Sequence, residues 1–400
     1  MESRKNLDLE LLRAVAILMT VAQHAEVLVF WPDSLHERLR LSLGLWAGVD
    51  LFFCISGYII TSTFLAGARP LGQSHVRGSA RWPLAIEFWI KRVWRLWPAA
   101  WCWMVVAVMC AIFFNNSGLF GQPVRMVKDA MAAFFQVANV HWAGCYHSGL
   151  SSCNFVDQAR VSLLFPTGWA LVVYWSLSLE EQFYLLAPIL MLTVPRRRLV
   201  LLLALVWLVL LPWSRPPLGV AWFFRVDALV VGVLLAFWRL RGFTGPDPAA
   251  AVRGPWQHVR RAALQILCVG AVVVLAWLGA PSRAALPGLV SALSLVAGFL
   301  VWVASFQGQI LMPAGMLGGA LTWLGARSYS MYLTHMLAYL GTRELWFRVG
   351  AAPEEHLIVY VLGAVLALLG LTEMSYRLIE RPARRNGYRL AARYRARRLG

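Results

Sequence analysis

The segment LDLELLRAVAILMTVAQH (Leu7–His24) places an arginine and a histidine in one apolar run. Arg13 and His24 stand eleven positions apart. At about 100° per residue that spacing returns to within roughly 20° of the same direction, with roughly 16 Å between them along the axis. The two side chains therefore share a face. An Arg or Asp at mid-membrane costs roughly 2.5–3.5 kcal/mol on insertion scales, so such groups mark a bundle interior or a wet cavity. A histidine can take a proton from a hydroxyl near neutral pH. An arginine holds phosphate or carboxylate oxygens. Together they suggest proton transfer near a bound anion. A lone buried histidine, by contrast, is more often a satisfied core residue.

Other runs repeat the pattern of ionisable residues in apolar surroundings. Asp50 opens GVDLFFCISGYIITS (Gly48–Ser62), at a depth where His24 is its expected neighbour. A carboxylate there would fix the imidazole tautomer; the plainer alternative is an acid complementing the helix dipole. Ser56 and Gly57 read as small packing residues. In FWIKRVWRLWP (Phe88–Pro98), Arg92 and Arg95 share one helical face among tryptophans. They are either snorkelling anchors or a cradle for a cytosolic polyanion. YWSLSLEEQFYLLAP (Tyr174–Pro188) carries Glu180 and Glu181 inside an apolar run, with Ser176, Glu180 and Tyr184 on one face. The structural alternative pairs this acid with Arg225 of FFRVDALVVG. LGARSYSMYLTHM (Leu324–Met336) brings His335 deep into a late run. In EMSYRLIERPARR (Glu373–Arg385), Glu380 and Arg381 read as a helix end, with Pro382 as its stop.

The elements that must position these groups are membrane helices. The chain has 400 residues, 60% of them hydrophobic and 14% charged. The apolar residues come in blocks of about twenty, the length that crosses a bilayer core. The spacing predicts an all-α polytopic membrane protein of about ten transmembrane helices. They lie near 9–31, 43–66, 96–114, 167–193, 199–213, 220–238, 262–280, 287–306, 318–341 and 357–377. The segment 126–142 holds Lys128 and Asp129 and reads as one helix at the outer surface. The net charge of +18 reflects topology rather than nucleic-acid binding. Most of the 37 Lys and Arg residues fall in the loops on the side of the two termini, which places both termini in the cytoplasm. The first apolar run does not read as a cleavable signal. RGFTGPDPAAAVRGPWQ reads as a flexible connector. Residues 1–382 form one membrane domain, and 383–400 a basic cytoplasmic tail.

Six cysteines show no metal-ligand spacing. Cys54, Cys102, Cys110 and Cys268 lie in apolar runs as packing residues. Cys145 and Cys153 fall in an outer loop, where they are expected to pair.

As an ordered set, these motifs resemble the acyltransferase 3 family of bacterial inner-membrane O-acyltransferases, from Leu7 to about Pro382. Arg13 and His24 are similar to its Arg–ten residues–His signature. GVDLFFCISGY, the Arg92–Arg95 pair, WSLSLEEQFYLLAP, SYSMYLTH and ERP are similar to its other motifs. The resemblance implies a multi-pass protein of the bacterial inner membrane that moves an acyl group, usually acetyl, from cytoplasmic acyl-CoA to a hydroxyl. Its implied acceptors are cell-surface glycans and related sugars. It implies no permanently bound cofactor, and it admits a separate extracytoplasmic transferase as partner. On this reading His24 is the base or a transient acyl acceptor, oriented by Asp50. Arg92 and Arg95 hold the CoA phosphates, and Arg13 steers the donor arm. Glu180 and His335 serve acceptor binding or structure. Two departures stand out. Many members carry a histidine just before the fourth-span tryptophan, where this chain reads Val173-Tyr174-Trp175. Some members add a C-terminal SGNH-type domain, for which the residues after Pro382 are too few. The competing reading is a transporter or flippase of a lipid-linked glycan or small molecule, since buried Glu, Arg and His also suit proton relays.

Overall fold

In the computed structural model, residues 6–28, 41–68, 82–147, 169–217, 219–240, 256–306, 309–353 and 355–399 are described. They are helical, with no strand among them. Five stretches are long and apolar enough to cross a membrane: Leu45–Gly67, Trp82–Phe113, Val220–Arg239, Gln257–Leu278 and Leu357–Arg397. Leu289–Ala304 is apolar but shorter. This marks an integral membrane protein built of helices. The helices at the other expected spans are short or carry the polar residues singled out above.

Helix α1 (Leu7–His24) starts at Asn6, whose side chain accepts from the Leu9 amide at 3.2 Å. Asp8 and Glu10 in its first turn complement the dipole. The Asp8 carboxylate also accepts the backbone amides of Ile310, Leu311 and Met312 at 2.9–3.0 Å. That ties the start of α1 to a turn three hundred residues away.

Helix α2 (Gly48–Ala68) follows, then α3 (Trp82–Phe113). The outer segment is two helices, α4 (Pro123–Phe134) and α5 (Ala138–His147), not one. Gln136 breaks it with a φ of 57°, a left-handed conformation that no α-helix continues. Cys145 on α5 is disulfide-bonded; its expected partner, Cys153, lies outside the described residues. So do the Gly/Pro connector at 241–255 and several basic loops.

Next come α6 (Tyr174–Thr193), α7 (Arg196–Leu210) and α8 (Asp227–Leu240). Helices α2 and α8 form the most extensive pair. A methyl group at Gly57 would overlap the Leu229 carbonyl, and one at Gly232 the Cys54 carbonyl. Only glycine lets the two backbones approach this closely.

Helices α9 (Gln257–Leu278), α10 (Leu289–Ala304), α11 (Gly315–Ala326) and α12 (Ser328–Arg348) continue the bundle. The ninth expected span, 318–341, is therefore two helices. Arg327 leaves helical geometry between them (φ −108°, ψ 7°), and its guanidinium pairs with Glu373. The chain ends in α13 (Leu357–Met374), a π-turn at Ser375–Glu380 and α14 (Arg381–Leu399). Pro382 does not stop the helix as expected. It follows directly on the π-turn, and the helical stretch runs through it to Arg397.

Candidate active site

A cavity lies between α1, α2, α3, α6 and α12. Its wall includes Arg13, Arg92, Arg95 and Glu180, four of the residues expected from sequence. Three different helices, α1, α3 and α6, bring them together.

The three arginines interact unfavourably with one another, Arg13 with Arg95 and Arg92 with Arg95. Acids stand nearby, one beside an arginine and two held by serines. Glu10 lies 3.6 Å from Arg13. Glu180 accepts from Ser56, and Glu380 from Ser330 at 2.8 Å. Arg92 lies against the rings of Phe88 (5.4 Å) and Tyr184 (5.5 Å). Arg95 Nε has no hydrogen-bond partner. Guanidinium N–H groups are thus left to face the cavity, an arrangement suited to a polyanion.

Sequence reading took Ser56 for a packing residue; the structure corrects this. Ser56 lines the cavity, donates to Glu180 and accepts from Tyr184 at 3.2 Å. Its signal was the shared face of Ser176, Glu180 and Tyr184, all three of which line the same wall. Tyr329 and Tyr332, which precede His335 in SYSMYLTHM, also line the cavity. Tyr332 shares a hydrogen bond with Ser176 at 2.5 Å and donates to the Val173 carbonyl at 3.0 Å.

Tyr332 joins the cavity to a histidine pair. His335 is fully buried, with its ring 5.7 Å from that of Tyr332. Its Nδ1 lies 2.7 Å from the Tyr332 carbonyl, and its Nε2 3.2 Å from His24 Nδ1. His24 Nδ1 is also 3.0 Å from the Thr20 carbonyl. A carbonyl only accepts, so each Nδ1 carries its proton in the neutral pair. His335 Nε2 is then the acceptor that His24 Nδ1–H meets. The tautomers, assigned from these partners, leave His24 Nε2 as an unprotonated nitrogen. His24 is half-buried. Tyr339 pins the pair by donating to the Val21 carbonyl at 3.1 Å.

Asp50 is not the partner of His24. It is fully buried and lies 3.6 Å from Arg225 Nη1. The close α2–α8 packing sets this, because it aligns the starts of the two helices. Arg225 in turn sits among Trp222 (3.7 Å), Trp46 (4.7 Å) and Trp175 (5.0 Å). It does not reach Glu180 or Glu181; Glu181 instead accepts from Trp97 Nε1 at 3.2 Å. Asp227 takes a bidentate contact from Arg215 at 2.5 and 2.7 Å and a hydrogen bond from Ser291 at 2.6 Å. Arg215, twelve residues before Asp227 in the sequence, is 2% exposed. Among the described residues, no group of three or more His, Cys, Asp or Glu is placed to hold a metal.

A peptidoglycan O-acetyltransferase of Listeria monocytogenes, OatA, is 28% identical over 94% of this chain and 55% of its own length. The O-acetyltransferase OatA of Staphylococcus aureus is 26% identical over 89% of this chain and 55% of its own. The chain thus spans about half the length of the curated relatives it matches. No solved structure matches it significantly. The sequence model of the acyltransferase domain matches residues 6–372, which include the arginine cavity and the histidine pair: the chain belongs to the acyltransferase 3 family.

Proposed function

We propose that the protein is an O-acyltransferase of the bacterial inner membrane, moving an acetyl group from cytoplasmic acyl-CoA to a hydroxyl of a cell-surface glycan. One observation carries the reading: a cavity walled by three arginines adjoins, through Tyr332, a histidine with a free base nitrogen. The printed names of the relatives favour a peptidoglycan-type glycan as acceptor. The basic-loop asymmetry supports ten spans with both termini in the cytoplasm and the arginines at the inner mouth.

In this reaction the arginines hold the donor's phosphates, and the cavity takes the pantetheine arm. The acceptor hydroxyl loses its proton to His24 Nε2 as its oxygen attacks the thioester carbonyl. The C–S bond then breaks, and the thiolate leaves with that proton. In the two-step variant Nε2 attacks first and the acetyl group passes through His24. Either way His335 Nε2 stabilises the imidazolium by accepting from Nδ1–H, the role sequence reading gave to Asp50.

The test uses the purified protein in liposomes with acetyl-CoA and a bacterial glycolipid extract, following free thiol and acetylated product. Thiol release that needs His24 supports the reading. Full activity in His24→Gln would remove its catalytic assignment. Glycan movement without any thiol release would favour a transporter.

A further inference from the structure

The basic C-terminal segment is a built element. Helix α14 carries no acidic residue, and Arg381, Arg385, Arg389, Arg393, Arg395 and Arg397 are exposed. Its small residues Ala383, Gly387 and Ala391 are buried on one stripe. A methyl group at Gly387 would lie 2.5 Å from Trp94 Cβ, so the stripe seats α14 directly on α3.

Length shows where the pair lies. Leu357–Arg397 is a 41-residue helical stretch, and α3 has 32 residues. At about 1.5 Å per residue both overrun a hydrocarbon core of roughly 30 Å. Arg92 and Arg95 lie on α3 itself, so the seat of α14 at Trp94 adjoins the cavity arginines.

The contact zone has a defined chemistry. Tyr388 is 55% exposed, with Lys91 Nζ 5.7 Å from its ring centre. It interacts electrostatically with Arg92 on the cavity wall. Lys91 also pairs with Glu87 at 2.5 Å. Arg384 lies one helical turn from Tyr388, on the same face of α14. An exposed aromatic ring thus stands between two sets of cations, one inside the cavity and one outside. Acyl-CoA has a matching order: a diphosphate, an adenine and a separate 3′-phosphate.

We propose that the α3–α14 pair is the nucleotide subsite of the donor, with Tyr388 stacking on adenine and Lys91 and Arg384 holding the 3′-phosphate. This rests on the acyl-CoA reading above. Losing the stacking contact or the charged hydrogen bond predicts a rise in KM of about tenfold.

The experiment measures KM for acetyl-CoA, acetyl-dephospho-CoA and S-acetyl-pantetheine with the full chain in liposomes. Wild type should bind acetyl-CoA about tenfold better than the dephospho donor. Arg384→Gln should lose that preference. Tyr388→Ala should weaken both nucleotide donors, and Tyr388→Phe should restore them. S-acetyl-pantetheine should be indifferent to all three changes. Equal KM values for the two nucleotide donors in wild type would overturn the subsite, and so would variants that weaken the pantetheine donor equally. The latter outcome would mean that α14 acts on the fold or on anionic lipid. In both cases thiol release persists. No thiol release from any of the three donors would instead overturn the acyl-CoA reading, and the subsite with it.

Discussion

Two regions of this molecule hold arginines within the helix bundle, and they hold them differently. Beside the starts of α2 and α8, each arginine has an acid: Arg225 faces Asp50 and Arg215 clasps Asp227. In the cavity, Arg13, Arg92 and Arg95 converge while Glu180 and Glu380 are engaged by serines. The first arrangement supplies a counter-charge for each arginine and joins helices. The second gathers three arginines with one close acid, Glu10 beside Arg13. Burial alone does not identify a site; what decides it is whether the protein supplies the counter-charge.

The largest expected effect tests the first region. Arg215→Met leaves Asp227 buried with Ser291 as its remaining partner, which should destabilise the protein by about 3–5 kcal/mol. The double variant Arg215→Met/Asp227→Leu should recover most of that loss. Thermal unfolding in detergent reads both. If Arg215→Met instead keeps its stability and loses donor binding, the ion pairs belong to the site and the contrast fails.

Smaller in free energy, but on activity, are the cavity arginines. Arg92→Gln and Arg95→Gln should each raise KM for acetyl-CoA roughly tenfold to a hundredfold, about 1.5–3 kcal/mol per charged contact. Stability should hold or rise, because each change relieves like-charge repulsion. A fall in thermal stability matching that of Arg215→Met would place these arginines with the structural ones.

How far the sequence reveals this division is itself instructive. The arginines of the cavity were legible because each sits on a helix whose period fixes its face, and one cavity collects them. His24 and His335 were legible as polar residues too costly to leave in lipid. Their pairing was not, because α1 and α12 meet through a contact spanning more than three hundred residues. Asp50 was misassigned for the same reason. Helical depth suggested His24, but the glycine-mediated approach of α2 and α8 delivered Arg225. The breaks at Gln136 and Arg327 were invisible to hydropathy, which continues across both. Tertiary partners decide where a helix stops when the apolar pattern does not.

The histidine pair supplies the next effect. His335→Leu removes the acceptor for His24 Nδ1–H, and kcat should fall about tenfold to a hundredfold, roughly 1.4–2.7 kcal/mol. His335→Gln should keep most of the rate. Its amide can donate to the Tyr332 carbonyl and accept from His24 in the same geometry. If Leu and Gln behave alike, His335 fills space and does not hold a tautomer.

Glu180 gives the smallest expected effect and the sharpest test of where the chemistry ends. It lies in the cavity wall, but its carboxylate is held by Ser56. In Glu180→Gln the amide oxygen still accepts from Ser56, so the wall keeps its shape. One negative charge near Arg13 and Arg92 is lost, which should tighten donor binding modestly. The change should stay within about 1 kcal/mol, or roughly fivefold, in both kcat and KM. A hundredfold fall in kcat at unchanged KM would make the carboxylate a participant in proton transfer. The boundary of the site would then move from the histidine pair into the arginine cavity, and the acceptor hydroxyl would have to be sought beside Ser56.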